Sequence, residues 1–308
     1  MDKKLLLKSA LNLYETAKFS RLLKRNEQLR DKHLGQKAFL FATGTSILDL
    51  DLSKFNGEVT IGCNDIVEHP SFHSFDLKYY TVGVPYRFFR EVGPRFTHND
   101  HHKYFLKIDE TLKNKDTIHF YHASIKRYLK KRNLLSNKEC YYSLGKPTFS
   151  NEDEISFEIT KPNQFYNGGL RKMIALAIFM GCKELYLYGC GYTYSPVQAW
   201  HFHNCLTMKK DPRYLSDIQL QEKIRAFYKF HPESVYGRMK TRILNRPDNT
   251  FLVDFFYHRP TVIESENDFY LKHRLIRKYA DLNDVRIFNV TPKGYDSPVY
   301  EKYIESEK

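Results

Sequence analysis

Three hydroxyl side chains flank a glycine in the stretch Thr43-Gly44-Thr45-Ser46, directly after the apolar run KAFLFA. A glycine lets the backbone come close to a ligand, and the hydroxyls can donate hydrogen bonds to it or cap a following helix. A second apolar run, EVTIGC, ends on Asn64 and Asp65, and the Asn64 amide can donate to and accept from a base or a sugar. Two strands that end in this way predict one shared polar crevice, with an ordinary capped turn as the alternative for each.

The glycine turn matches neither of the common nucleotide-binding motifs. It lacks the GxGxxG spacing of a dinucleotide site and the GxxxxGKS spacing of a P-loop. In an open parallel sheet, ligands bind beyond the carboxyl ends of the strands, where helix amino termini present unpaired N–H groups. The position of the turn therefore predicts a ligand site that belongs to neither motif class.

Histidine side chains are the candidates for general acid–base chemistry, because imidazole titrates near neutral pH. His201 and His203 lie in the stretch WHFHN, and His258 lies in FYHRP. We expect His201 to accept a proton from a substrate hydroxyl, with His203 next and His258 as a rival. A purely structural role is the competing interpretation of each histidine.

Three groups of potential metal ligands lack the spacing of an established metal site. Asp49-Leu50-Asp51 reads DxD, but it lies in the helix or turn that follows the first strand. The stretches HNDHH (98–102) and HFH (201–203) have no closing Cys or His pair at a standard distance. We therefore predict that the chain uses no metal and no cofactor.

Short apolar runs and helical patterns alternate along the chain, and these elements must position the polar residues. Runs of the kind that form buried strands lie at 37–42, 58–63, 78–84, 117–123, 184–189 and 285–290. The clearest helical patterns lie at 168–180 and 268–280. This order predicts an α/β fold, with a mostly parallel sheet covered by helices on both faces. The 23 Tyr and 23 Phe residues predict a core built largely from rings.

Four segments are predicted: a basic helical N-terminal segment (1–35), a nucleotide-binding domain (36–190), a lid or acceptor-binding segment (191–260), and a C-terminal helix and strand that complete the domain (261–308). The lid is predicted because the region after Gly189 has no strong strand pattern and only one helical stretch, near 215–230. The N-terminal segment is amphipathic. Packing on the core is its simpler interpretation, and contact with a membrane surface or another subunit is the alternative.

Charge and cysteine usage restrict the partners and the compartment. The formal net charge of +13 over 308 residues favours anions, whether nucleic acid, a membrane surface or a nucleotide-linked substrate. Five widely spaced cysteines without a CxxC pair favour a reducing cytoplasm. Neither a signal peptide nor a run of about 18 apolar residues is present, so no membrane-spanning helix is expected. The basic run IKRYLKKR (125–132) predicts one solvated face of a helix, because no nucleic-acid motif accompanies it.

Three stretches in chain order carry a resemblance to a known family. They are FATGTSILDLDLSKFNGEVTIGCND (41–65), NGGLRKMIALAIFMGCKELYLYGCGYTY (167–194) and YLKHRLIRKYADLNDVRIFNVTPKG (270–294). In this order they resemble family 42 glycosyltransferases, the bacterial sialyltransferases, and the related motility-accessory-factor-like proteins. Thr43 and Thr45 stand where that family more often has Asn and Pro, which leaves the identity of the sugar open.

The resemblance implies a Rossmann-like, metal-independent enzyme that moves a nonulosonic acid, with inversion, from a CMP-sugar to a surface glycan or glycolipid. It implies that Tyr192 and Tyr194 stabilise the departing phosphate and that a lid histidine is the base. Further nucleotide-sugar contacts are expected at Asn167, Gly168, Gly169, Gly189, Thr291 and Lys293. Lys293, after the last strand, either binds phosphate as a point charge or is a solvated turn residue.

Two other functions stay open on the sequence. One is a Rossmann-like nucleotide enzyme of another type, similar to a pyrophosphokinase, and the other is a non-enzymatic binder of polyanions or nucleic acid. The leading expectation is a cytoplasmic enzyme of lipopolysaccharide or capsule synthesis that binds no nucleic acid. Peripheral attachment to the inner face of the membrane and assembly into a homo-oligomer accompany it as further hypotheses.

Overall fold

A computed structural model of the chain describes residues 17–83, 98–144, 156–162, 168–190, 273–290 and 299–303. Eight strands lie within these ranges: β1 Lys37–Phe41, β2 Val59–Cys63, β3 Tyr79–Thr81, β4 Ile118–His122, β5 Cys140–Ser143, β6 Glu184–Tyr188, β7 Arg286–Asn289 and β8 Glu301–Lys302. They form one sheet in the order β5-β4-β3-β2-β1-β6-β7-β8, and every neighbouring pair is parallel.

Each of the six apolar runs contains one strand, so the prediction of an α/β fold with a parallel sheet is confirmed. Strand β2 is buried at every position, as expected for a central strand covered on both faces. The sequence prediction misses β5 and β8. Strand β5 is only four residues long and has a cysteine and a serine at its ends, and β8 has only two residues, so neither produces an apolar run.

The described residues contain five α-helices: α1 over 17–24, α2 His98–Leu112, α3 Lys126–Arg132, α4 Gly169–Phe179 and α5 over 273–282. Helices α4 and α5 lie where the helical patterns predict them. The expected alternation of strand and helix is wrong between β1 and β3, where the chain makes only 3-10 turns. Asp51 accepts a hydrogen bond from the Ser53 N–H at 3.0 Å, and Gly57 adopts a φ of +89°, which closes the first connection as a tight turn.

The two faces of the sheet bury different kinds of side chain. On β1 and β6, alternate residues face helices α4 and α5 and are small or aliphatic: Ala38, Leu40, Leu185 and Leu187. The residues between them face α2, α3 and the 3-10 turns and are aromatic: Phe39, Phe41, Tyr186 and Tyr188. Rings on neighbouring strands stack with their centres 5.3 Å apart for Phe41 and Tyr188. The ring-rich core predicted from composition is therefore confirmed for one face.

The N-terminal segment packs on the sheet in its described part. Leu23 and Leu29 are buried, which supports the simpler interpretation of this segment. Asn26 follows α1 and is fully buried, and its Nδ2 donates to the Tyr142 carbonyl at 2.7 Å while its Oδ1 accepts from the Tyr142 N–H at 3.4 Å. The Asn26 amide also donates to the Ile159 carbonyl at 2.6 Å. One asparagine side chain thus satisfies the N–H and the carbonyl of Tyr142 in edge strand β5.

Helix α3 carries the predicted basic face. Tyr128 and Leu129 are buried, while five cations of this seven-residue helix are exposed: Lys126, Arg127, Lys130, Lys131 and Arg132. Residues 117–138 contain no carboxylate to neutralise them. Among the residues that the structure describes, no helix combines the length and the apolar character needed to cross a bilayer.

The strand order reverses after β1. Strands β2 to β5 extend the sheet to one side of β1, and β6 to β8 extend it to the other. Phe41 pairs with Gly62 of β2 and with Tyr188 of β6, so the three strands end at the same level. Such a reversal leaves a crevice outside the carboxyl ends of the two strands that flank it, and ligands of Rossmann-like folds bind there.

Candidate functional site

The backbones that leave β1 and β6 are in direct contact at the strand-order reversal. The Gly44 N–H donates to the Gly189 carbonyl at 2.9 Å, and Gly189 has a φ of +68°. A Cβ atom at Gly44 would lie 2.3 Å from the Gly189 carbonyl oxygen. Gly44 is therefore required by the close approach of the Gly189 backbone, whereas its contact with a ligand stays a prediction.

The hydroxyls around Gly44 have different surroundings. Thr43 is only 3% exposed, so its side chain is buried in the fold. Thr45 opens the 3-10 turn Thr45–Ile47. The Ser46 Oγ is shielded from solvent and has no hydrogen-bond partner within the described ranges. Of the predicted hydroxyl donors, Ser46 therefore keeps an unsatisfied group beside the crevice.

Asn64 joins the ends of β2 and β3. Its Oδ1 accepts from the Gly83 N–H at 2.7 Å, and its carbonyl accepts from the Tyr80 hydroxyl at 2.6 Å. These bonds hold Asn64 at a φ of +52°, a conformation that asparagine tolerates better than most residues. The Oδ1 atom is thus used within the protein, and the Nδ2 group is the part of Asn64 that can donate to a ligand.

The amino terminus of helix α4 rests on the ends of β2 and β3. The Gly168 N–H donates to the Gly83 carbonyl at 3.0 Å, and a Cβ at Gly83 would lie 2.5 Å from the Gly169 nitrogen. A Cβ at Gly169 would lie 2.8 Å from the Cys63 Sγ. Three glycines therefore let the positive end of the helix dipole reach the carboxyl edge of the sheet.

Asp65 follows Asn64 in the 3-10 turn Asn64–Glu68 and places a carboxylate beside the end of β2. Burial, reinforced by the negative charge of Asp65, raises the pKa of the Cys63 thiol to about 12. Cys63 is therefore a neutral packing residue at physiological pH and not a nucleophile.

The first turn of α4 also carries two basic side chains that the sequence prediction does not include. The Arg171 guanidinium folds back toward Gly168, and its Nε would lie 3.3 Å from a Cβ there. Lys172 is fully buried, and its Nζ donates to the Val82 carbonyl at 2.6 Å. The sequence pattern of α4 indicates that Lys172 lies on the buried face, because Ala175, Leu176 and Phe179 follow it at the spacing of one helix face.

The structure thus brings together seven of the predicted binding residues at one edge of the sheet: Gly44, Ser46, Asn64, Asp65, Gly168, Gly169 and Gly189. Thr43 and Thr45 belong to the same turn after β1. Eight predicted site residues lie outside the described residues and stay predictions: Asn167, Tyr192, Tyr194, His201, His203, His258, Thr291 and Lys293. The lid segment 191–260 also lies outside them. Gly44 and Asn64 lie on the same edge, as the shared-crevice hypothesis requires.

The described residues also bear on the DxD stretch. The Asp51 Oδ1 accepts from the Ser53 N–H at 3.0 Å and from its hydroxyl at 2.7 Å, so this carboxylate caps a turn. Within the described part of the chain, no three His, Cys, Asp or Glu side chains are grouped so that they can hold a metal ion.

Comparison with known proteins adds no identity to this site. The sequence matches no model of a protein family, and no curated protein gives a significant match to it. The α/β fold and the crevice therefore stand on the structure, while the likeness to sialyltransferases rests on the three sequence stretches alone.

Proposed function

We propose that the chain is an inverting, metal-independent glycosyltransferase that moves a sialic acid-like sugar from a CMP-sugar to a glycan acceptor. The observation that supports this most is the convergence of Gly44, Asn64, Gly169 and Gly189 at the strand-order reversal. A site of this kind, with a helix amino terminus beside it, suits a ligand that combines a nucleoside with a phosphate. The three family-like stretches supply the choice of CMP-sugar.

The described residues suit the binding of the donor. The amino terminus of α4 and the Arg171 guanidinium provide positive charge for the phosphate, and the Asn64 Nδ2 provides a donor for the base or the sugar. The proposed transfer begins when the acceptor hydroxyl attacks the anomeric carbon. His201 takes the hydroxyl proton, and the bond from that carbon to the phosphate oxygen breaks as CMP leaves beside Tyr192 and Tyr194.

Binding of CMP and turnover of a CMP-sugar test this proposal directly. We expect calorimetry to detect CMP binding to the full chain, and we expect CMP-sialic acid or a CMP-activated relative to be consumed in the presence of EDTA. The absence of both CMP binding and turnover with every CMP-sugar would contradict the proposal. Mg²⁺-dependent turnover of ATP would favour the pyrophosphokinase-like alternative.

Replacement of the base separates chemistry from binding. His201→Ala is expected to lower turnover by about two to four orders of magnitude while CMP affinity is retained. His203→Ala and His258→Ala test the two alternatives. His73 is exposed on the 3-10 turn Phe72–Ser74, so His73→Ala is the matched control with unchanged turnover. The assignment of the base fails if none of the three variants loses activity.

The Asn64 donor has a matched control in the same chain. Asn64→Asp keeps an oxygen for the Gly83 N–H and removes the Nδ2 donor, so CMP affinity should fall about tenfold or more. Asn133 has the same φ of +52° at the end of α3, away from the crevice, so Asn133→Asp should leave the affinity unchanged. Equal affinities of the two variants would remove Asn64 from the site.

The basic face of α3 favours a second candidate function, the binding of a polyanion. Five exposed cations, in a stretch (117–138) whose sequence contains no carboxylate, attract phosphate-rich polymers or an anionic membrane, and such binding weakens steeply with salt. We expect the affinity for heparin or anionic vesicles to fall steeply between about 50 and 300 mM salt. An affinity that does not change over this range would exclude polyanion binding. Peripheral membrane attachment is tested by co-sedimentation with vesicles, with and without residues 1–35.

A further inference from the structure

Lys172 is a buried amine for which the described part of the chain supplies no carboxylate partner. It lies in the first turn of α4, is 0% exposed, and makes one hydrogen bond, from its Nζ to the Val82 carbonyl at 2.6 Å. A buried ammonium normally pairs with a carboxylate, because a lone charge is costly in a medium of low polarity. Among the described residues, the titratable group whose charge would raise the pKa of Lys172 is the Cys63 thiol, which is itself neutral.

The elements around Lys172 supply few charges. Strand β2 contributes Cys63, and the chain that leaves β6 contributes Cys190, whose pKa is raised by burial. The negative charge of Asp65, in the turn after β2, also raises the pKa of the Cys63 thiol. On the helices, Arg171 adds a cation next to Lys172, and it lies near His273 of α5, whose pKa is lowered to about 3 by burial and by Arg171. The surroundings therefore favour a neutral amine, and burial lowers the pKa of Lys172 to about 7.

We propose that Lys172 takes up a proton from solvent when an anionic ligand occupies the crevice, so that the ammonium forms in the bound protein. This inference rests on the proposed function, which places a nucleotide phosphate at this edge of the sheet. Lys172 lies three residues from Gly169, about 4.5 Å along the axis of α4. A phosphate at the helix amino terminus supplies the counter-charge that the described residues do not provide.

The expected coupling follows from electrostatics at short range. A unit negative charge about 8 Å from the amine, at an effective dielectric constant of about 20, shifts the equilibrium toward the ammonium by a factor of about 30. Protonation and binding therefore favour each other. Affinity for the CMP dianion should fall roughly fivefold to tenfold as the pH rises from 7.0 to 8.5, and about two thirds of a proton should be taken up for each CMP bound at pH 7.5.

Calorimetry in two buffers measures this proton directly. CMP is titrated into the full chain at pH 7.5 in PIPES and in Tris, whose heats of ionisation differ, and the difference in binding enthalpy gives the number of protons taken up. Lys172→Met keeps an unbranched side chain of similar length and removes the titrating group. Lys183 is exposed between α4 and β6, so Lys183→Met is the matched control.

The outcomes separate the inference from the proposed function. Proton uptake by the unmodified chain and by Lys183→Met, lost in Lys172→Met, supports the inference. CMP binding with the same proton uptake in all three proteins, or with none in the unmodified chain, overturns the inference and leaves the proposed function in place. If no CMP binds to the unmodified chain, the proposed function fails and the inference fails with it. Should Lys172→Met not fold, the ¹³Cε resonance of Lys172 in the unmodified chain decides, because it must report a change of charge when CMP is added.

Discussion

Replacement of Lys172 should change how the stability of the fold depends on pH, independently of any ligand. In Lys172→Met, a side chain of similar length occupies the same buried position, and no titrating amine is present. In the unmodified protein, burial lowers the pKa of this amine from 10.5 to about 7. Between these two values the unfolded chain binds more protons than the folded one, so the free energy of unfolding rises with pH.

The size of the effect follows from the two pKa values. At pH 6 the amine is protonated in both states and contributes almost no pH dependence, whereas at pH 8.5 it is neutral in the folded state and charged in the unfolded state. The linkage relation gives a gain of about 2 kcal/mol in the free energy of unfolding over this interval. Lys172→Met lacks this gain, so its advantage over the unmodified protein should be largest at pH 6 and shrink by about 2 kcal/mol by pH 8.5.

Urea unfolding of both proteins at pH 6.0, 7.0, 8.0 and 8.5 is the assay. The difference between the proteins at each pH isolates Lys172, because other groups contribute equally to both. This cancellation matters above about pH 8, where the buried thiol of Cys63, with its raised pKa, makes the stability of both proteins fall. If the difference in the free energy of unfolding between the two proteins stays constant within about 0.5 kcal/mol from pH 6.0 to 8.5, the pKa of the Lys172 amine is not lowered by burial.

Three further predictions test the packing of the fold. Gly44→Ala places a Cβ 2.3 Å from the Gly189 carbonyl oxygen and should cost about 3 kcal/mol of stability. Gly57→Ala has open space around the added Cβ but a φ of +89°, so it should cost only about 1 kcal/mol. Similar melting temperatures of the two variants would contradict this difference. Asn26→Ala leaves the backbone groups of Tyr142 and Ile159 unsatisfied and should lower the free energy of unfolding, measured in urea, by about 3 kcal/mol. A decrease of less than about 1 kcal/mol would be inconsistent with the buried hydrogen bonds of Asn26. Burial lowers the pKa of both His119 and His273 to about 3, so each should remove about 2 kcal/mol of stability as the pH falls from 6 to 4.5. The stability of His273→Phe, followed by circular dichroism, should therefore fall less steeply with acid. An unchanged pH dependence in this variant would mean that the imidazole is charged in the folded state.

The sequence predicts the sheet well, because its central strands are buried on both faces and therefore consist of uninterrupted apolar residues. Strand β2, VTIGC, is an example. The same reasoning fails for β5, whose burial depends on partners distant in sequence: Asn26 lies 116 residues before Tyr142. For the connection between β1 and β2 the sequence leaves a helix and a turn open, because the leucines of ILDLDLSKF alternate with polar residues, and the structure has 3-10 turns there.

The candidate site could be located from sequence but not interpreted fully. The turns after β1 and β2 are correctly placed at one edge of the sheet. The packing constraint on Gly44 is missed, because a sequence does not show that the Gly189 backbone lies against it. Lys172 is missed for a similar reason, since a lysine in a helix normally faces solvent and only the three-dimensional packing shows the Val82 carbonyl beside its amine.

The amide of Asn26 has a consequence for how the molecule behaves among its own copies. The last strand of an open sheet exposes a row of hydrogen-bonding groups on which a strand of another molecule can grow. Here the Tyr142 N–H and carbonyl are already occupied by the Asn26 side chain, in the place that an added strand would take. A residue that follows α1 thereby also blocks a position at which another strand could pair, and its loss would expose a site for fibre growth as well as weaken the fold.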